Sequence, residues 1–110
     1  MELKDRLIDY FKNRENKSIV LDNKAEVKLV YVKVSDRELV LMFEHDYDDT
    51  RIKFSFYNPL DDNFITMEVT EGYDHAKKIA VGSMEQVASI INYSLYNWVE
   101  NKDIGLEWRD

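Results

Sequence analysis

Residues 51–56 read RIKFSF, and this stretch alternates polar and apolar side chains with a period of two. In an extended chain, successive side chains point to opposite faces, so the three apolar residues share one face and the three polar residues share the other. The stretch therefore predicts a β-strand with one face buried. The same alternation recurs at residues 65–69, and Leu39, Leu41 and Phe43 have the same spacing between the flanking Glu38 and Glu44.

The two-residue period extends over residues 18–81, where clusters of turn-forming residues delimit about six short strands. In residues 39–43 the outward-facing Val40 and Met42 are apolar too, which predicts a central strand or one covered on both faces. Residues 27–34 form a run long enough to contain a β-bulge. Because strands joined by short turns usually pair in sequence order, we expect an antiparallel, meander-like sheet.

One amphipathic helix is predicted before the strands, from about Glu2 to Arg14. Its apolar side comprises Leu3, Leu7, Tyr10 and Phe11, and its polar side comprises Asp5, Asp9 and Lys12. A second helix is predicted to begin at Ser83, because Ser83 and Gln86 have the spacing of a capping box. Its apolar face comprises Met84, Val87, Ala88, Ile91, Leu95 and Trp98. We expect this helix to pack across the sheet.

Together these patterns predict one α+β domain over residues 1–110: an N-terminal helix, an antiparallel sheet of about five or six short strands, and a C-terminal helix packed on the sheet. With 110 residues, of which 45% are apolar, the chain can bury a core without a metal or disulfide. After the second helix, the alternation of Ile104, Leu106 and Trp108 predicts either a short edge strand or a docked tryptophan.

Three features predict a cytoplasmic location. The chain has no cysteine, which fits a reducing compartment. Charged residues interrupt the apolar residues near the N-terminus, unlike a secretory signal. No stretch approaches the roughly 20 apolar residues of a membrane span, so we expect no membrane partner.

Negative charge is concentrated in the middle of the chain. Residues 34–75 hold 11 acidic and 3 basic residues, whereas the flanking segments are nearly balanced and the whole chain carries −7. Such a field favours a basic protein partner and disfavours direct binding of nucleic acid. Lys24, Lys28 and Lys33, and the pair Lys77 and Lys78, are better explained as edge or solvent-facing residues than as a phosphate site.

In a meander, alternate turns lie at the same end of the sheet. The turns at 45–50 and 71–75 should therefore meet. They would form an acidic, tyrosine-bearing rim of Asp46, Tyr47, Asp48, Asp49, Glu71, Tyr73 and Asp74, a surface suited to a basic partner. The opposite end would hold Asp36, Asp61 and Asp62 with Asn58 and Asn63. The competing interpretation is that these acids only solvate turns, which favour Asp and Asn for backbone reasons.

Other site chemistry has weaker support. His45 and His75 lie near carboxylates and could hold a metal or ligand at the rim, but Arg51 and Tyr57 occupy the positions where a calcium loop has glycine and glutamate. No nucleophile motif, phosphate loop or zinc motif is present. We therefore expect no enzymatic activity, no cofactor and no resident metal.

A second candidate surface is the outer side of the second helix. Helical spacing directs Ile90, Tyr93, Tyr96 and Asn97 away from the sheet. Large exposed side chains there would suit a homodimer or an adaptor interface.

These observations favour a small acidic interaction module, most specifically an inhibitor that occupies the nucleic-acid-binding surface of an enzyme such as a nuclease. Phage antagonists of host defence and immunity proteins against nuclease toxins are small, acidic and cysteine-poor in the same way. This is an analogy with a general class of proteins, and no shared motif supports it. A structural or adaptor subunit, or a small metal- or ligand-binding protein, are the alternatives.

Overall fold

A computed structural model describes residues 3–20, 26–45, 51–57, 65–71, 76–99 and 108–109. Its elements in chain order are α1 (Leu3–Lys12), β1 (Ser18–Val20), β2 (Glu26–Val34), β3 (Glu38–His45), β4 (Arg51–Tyr57), β5 (Ile65–Glu71), β6 (Lys77–Val81), α2 (Met84–Val99) and β7 (Trp108–Arg109). The α+β fold is confirmed.

The sheet is antiparallel throughout, with the strand order β6-β5-β4-β3-β2-β1-β7. Strands β1 to β6 therefore form the predicted meander, and β3 is the central strand, as its doubly apolar pattern indicated. The C-terminal β7 pairs with β1, with Ser18 opposite Arg109 and Ile19 opposite Trp108. Of the two alternatives for the tail, the short edge strand is the one found.

Both helices pack on the same face of the sheet. Leu7 and Phe11 of α1, together with Val87 and Ile91 of α2, belong to one buried cluster with the apolar strand residues. The strand members of that cluster are Ile19, Val27, Leu29, Leu39, Leu41, Phe43, Ile52, Phe54, Phe56, Ile65, Met67, Val69 and Val81. The opposite face carries neither helix, and we call it the open face.

The helix boundaries follow from local chemistry. In α1, Leu7 and Phe11 are buried while Asp5, Asp9 and Lys12 are exposed, as the periodicity predicted. The α2 cap is also as predicted: Ser83 Oγ accepts a hydrogen bond from the Gln86 amide at 3.2 Å. Gln86 Oε1 in turn accepts from the amide of Gly82 at 2.6 Å, one residue before the amide that a standard capping box uses, so the cap satisfies one amide of the first turn and one just before the helix. Within the described residues, neither helix is both long and apolar enough to cross a bilayer.

The predicted bulge in β2 lies between Leu29 and Tyr31, where the register with β3 shifts by one residue. The segment between α1 and β1 runs beside it. The Asn16 amide donates to the Leu29 carbonyl at 2.6 Å, and the Leu29 amide donates to the Lys17 carbonyl at 2.9 Å. Asn16 has a φ of 71°, a left-handed conformation that asparagine tolerates better than most residues.

One carboxylate completes this connection. The Val32 amide lies just past the bulge and donates to Glu15 Oε2 at 2.9 Å. Hydrogen bonds to charged groups are stronger than neutral ones. Through this hydrogen bond, Glu15 connects the segment between α1 and β1 to β2.

Replacing Glu15 with alanine is expected to lower the free energy of unfolding by about 1 kcal/mol, because the Val32 amide loses its protein acceptor. Glu15→Gln is the matched control, since its side-chain carbonyl can still accept. Urea unfolding of both variants measures the difference, and hydrogen exchange at Val32 should quicken only in the alanine variant. Equal stability of the two variants would show that the bond contributes nothing.

Candidate functional site

The strand register determines which connections lie together. Glu44 at the end of β3 pairs with Arg51 at the start of β4, Ile52 of β4 pairs with Glu71 of β5, and Val69 pairs with Lys77 of β6. The β3–β4 and β5–β6 connections therefore leave from the same end of the sheet. We call this the acidic end.

Most of the predicted rim falls in those two connections. Asp46, Tyr47, Asp48 and Asp49, and likewise Tyr73, Asp74 and His75, lie outside the described residues. Glu71 is the last residue of β5, and His45 is the last residue of β3; their side chains are also outside the described part. The structure thus places the strand ends on either side of these connections at one end of the sheet.

Aspartate and glutamate divide by structural context in residues 34–75. All four glutamates lie in strands, and all seven aspartates lie in connections between strands. Aspartate is depleted in strands and bonds readily to the backbone of turns, which explains the choice of residue type. Turn formation alone does not explain why residues 46–50, 58–64 and 72–75 contain six aspartates and no lysine or arginine.

The charges on the open face are largely balanced by neighbouring strands. Arg51 Nε bonds Glu44 Oε2 at 3.1 Å, and both side chains are exposed. Lys28 also lies opposite Glu44, and Lys78 lies opposite Glu68. Exposed pairs of this kind add little stability, but they leave the open face without a strong net field.

The centre of the open face is well packed although no described helix covers it. Val40 and Ser55, which lie opposite each other on β3 and β4, are each only 5% exposed. The Tyr57 hydroxyl donates to Glu68 Oε2 at 3.2 Å across β4 and β5. Long side chains from neighbouring strands therefore shield this centre.

The opposite end of the sheet begins with the tight turn between β2 and β3. The Ser35 amide donates to the Glu38 carbonyl at 2.9 Å, and Ser35 Oγ accepts from the Glu38 amide at 3.2 Å. Lys4 Nζ donates to the Asp36 carbonyl at 2.7 Å. Asp61, Asp62, Asn58 and Asn63 lie outside the described residues. Lys4 and Arg37 are basic groups at this end, as Arg51 and Lys77 are at the acidic end, where they begin β4 and β6.

The outer side of α2 is less apolar than the spacing predicted. Tyr93 is 68% exposed, as expected. Ile90, however, is partly buried and packs against the buried cluster, so the prediction that it points away from the core is corrected. The side chains of Tyr96 and Asn97 lie outside the described part. Among described side chains, the adaptor alternative rests on Tyr93.

Neither metal nor catalytic chemistry gains support from the described residues. They contain no group of three or more histidine or acidic side chains placed to hold a metal ion. A groove of about 300 Å³ lies between α1 and α2, which sequence reasoning missed because it depends on how the helices pack. It is lined by Tyr10, Phe11, Met84, Glu85, Val87 and Ala88. The only titratable groups among these lining residues are the Glu85 carboxylate and the Tyr10 hydroxyl.

Comparisons of the chain with known protein families, with curated proteins and with solved structures found no match in any of the three.

Proposed function

We propose that this protein is an interaction module whose acidic end binds a basic surface of a partner protein, and that it inhibits the partner by occupying its nucleic-acid-binding surface. The observation that supports this proposal is the strand register, because it brings residues 46–50 and 72–75, which hold four aspartates and no lysine or arginine, out of the same end of the sheet. Part of the negative charge that is concentrated in the middle of the sequence is thereby gathered at one end of the sheet.

The density of charge fits such a role. Three strand spacings separate β3 from β6, or about 14 Å. The connections that leave over this width contain Asp46, Asp48, Asp49 and Asp74, and Glu71 ends β5. Arg51 is balanced by Glu44, and Lys77 at the start of β6 offsets one of the five carboxylates. The remaining density, one negative charge per roughly 3.5 Å, is close to that of one nucleic-acid strand, about one charge per 3.4 Å.

The two tyrosines in the same connections suit a protein partner. Tyr47 and Tyr73 lie among the aspartates in sequence, and tyrosine is enriched among the residues that dominate binding energy at protein interfaces. Electrostatic attraction would accelerate encounter, and the aromatic side chains would slow dissociation. Balanced charge on the open face keeps the attraction directed to the acidic end.

The test is a charge reversal with a matched control at the other end of the sheet. In Asp46→Lys/Asp48→Lys/Asp49→Lys, three carboxylates of the acidic end are reversed. In Asp36→Lys/Asp61→Lys/Asp62→Lys, the net charge changes by the same amount at the opposite end. The wild-type protein and both variants are used as bait in a lysate of the source cells, at about 50 and 300 mM salt, a range over which screening strengthens.

We expect the wild type to capture a basic nucleic-acid enzyme that duplex DNA displaces. The acidic-end variant should bind that enzyme at least tenfold more weakly, which is about 1.4 kcal/mol, with a flatter salt dependence. The control should keep most of its affinity, and both variants should retain the thermal midpoint. Equal losses in the two variants, or undiminished capture by the acidic-end variant, would refute the proposal.

A further inference from the structure

The strand β6 forms one edge of the sheet. It pairs with β5 on one side, and no described strand pairs with its other side. Lys77, Lys78, Ile79 and Ala80 are all exposed. Roughly half of the backbone amides and carbonyls of an antiparallel edge strand point away from its only neighbour. This edge therefore offers a row of groups that can form a further ladder.

Protection of this edge relies on charge. The pairing of β5 with β6 continues over five residues without a register shift, so no bulge turns the edge away, and β6 contains no proline. Lys77 and Lys78 are the remaining protective feature. Lysine on an edge repels other strands in general, but it repels an acidic strand least.

Ile79 marks the helix-facing side of the edge. It lies opposite Met67, which is fully buried, yet Ile79 is 37% exposed. On the same side of β6, Val81 is buried and Lys77 is exposed. A strand added beyond β6 could cover Ile79 with an apolar side chain of its own, and burying that surface would favour addition.

The existing neighbour shows which sequence suits β6. Opposite Val81, Ala80, Ile79, Lys78 and Lys77, β5 places Ile65, Thr66, Met67, Glu68 and Val69. The side chains of β6 point to the two faces of the sheet, so β6 presents the same side-chain pattern to β5 and to a strand added on its other side. A strand on the free edge therefore meets the same requirements: an apolar residue opposite Ile79 and an acidic residue opposite Lys78.

We propose that the free edge of β6 binds an extended, acidic segment of a partner protein by antiparallel strand addition. The segment resembles β5 in pattern, with alternating apolar residues toward the helix side and glutamate or aspartate opposite Lys78. Backbone hydrogen bonds supply affinity, and the two lysines supply selectivity. A second copy of β6 is a poorer occupant, since self-pairing gathers four lysines at one edge.

The probe is a synthetic peptide with the sequence of β5, ITMEVTE, added to the full-length protein. We expect amide hydrogen exchange of Lys77–Val81 to slow at least fivefold at saturating peptide, with smaller changes elsewhere. Methylation of alternate peptide nitrogens should block binding in one of the two possible patterns and leave it intact in the other, because an edge ladder uses every second amide. Binding unaffected by either pattern would exclude strand addition.

A charge exchange tests selectivity. A peptide with lysine in place of the glutamate that corresponds to Glu68 should lose binding to the wild type at least fivefold and regain it with the Lys78→Glu variant. Because that variant places a glutamate opposite Glu68 and could weaken the fold, Lys77→Glu, which faces Val69, is the second variant and should weaken the original peptide. Binding insensitive to these charges would overturn the proposal.

Two further outcomes are decisive. Protection of β6 that rises with protein concentration in the absence of peptide would assign the edge to a second copy instead, and overturn the proposal. The Asp46→Lys/Asp48→Lys/Asp49→Lys variant should bind the peptide as the wild type does. The edge and the acidic end can thus fail independently.

Discussion

Replacing Phe54 with alanine is expected to lower the free energy of unfolding by about 3–5 kcal/mol. Phe54 is fully buried on β4, between Leu41 on β3 and Val69 on β5. Its ring packs edge-to-face on Phe43, with centroids 5.7 Å apart and an interplanar angle of 88°. Truncation removes this contact and leaves a cavity in the middle of the sheet. For a domain whose stability is roughly 5–15 kcal/mol, the loss is a large share.

Thermal and urea unfolding followed by circular dichroism measure this loss. Phe54→Leu keeps most of the side-chain volume and should cost less than half as much. The neighbouring Lys53→Ala on the open face is the matched control for strand position, and should change stability by only about 0.5 kcal/mol. A loss below about 2 kcal/mol for Phe54→Ala would contradict the packing of both helices over this face.

Replacing Asn92 with leucine is expected to raise the free energy of unfolding by about 1–3 kcal/mol. Asn92 lies in α2, one turn after Ala88, and its Oδ1 is buried without a hydrogen-bond partner. A buried acceptor that has lost its water costs free energy in the folded state. Leucine has a similar size, no polar atom, and a better helix propensity.

Thermal unfolding tests this prediction, with Ser89→Leu as the matched control. Ser89 is exposed on the same helix, so leucine there gains helix propensity without relieving a buried acceptor. The Asn92 variant should melt several degrees above the control, since about 1 kcal/mol shifts the midpoint of a domain this size by roughly 4 °C or more. If the two variants melt together, the Asn92 carbonyl is solvated in solution.

Much of the fold followed from local patterns. The alternation in residues 51–56 identified β4, the doubly apolar run around Val40 identified the central strand, and Ser83 with Gln86 identified the start of α2. Each of these signals depends on residues a few positions apart in the chain, because side-chain periodicity and capping are local properties. The β2 bulge was predictable for the same reason.

Contacts between distant segments were not predictable in this way. The carboxylate of Glu15 reaches the Val32 amide 17 residues away, and Ile90 packs against the core although its helical position points outward. Lys28 and Lys33 are both exposed, as predicted, but β1 pairs with β2 at Lys28 and not at Lys33, which pairs with β3. Their neighbours come from other strands, and no spacing within one strand specifies them.

The candidate site also has some properties that are visible in the sequence and others that depend on the tertiary structure. Its residue types, its negative charge and its place in turns were visible in the sequence, because turn chemistry and charge are read from neighbouring residues. The convergence of residues 46–50 and 72–75 at one end required the meander to form, and the free edge of β6 required the full strand order.

By itself, then, the sequence determined which segments are helix or strand, which face each segment buries, and where the charge lies. These properties depend on side-chain chemistry at short separation. Only the tertiary structure decided which strand is an edge, which charges are balanced by a neighbour, and which polar atom is left buried without a partner. Those depend on pairing between segments far apart in the chain, where burial of the whole core, rather than any local preference, selects the arrangement.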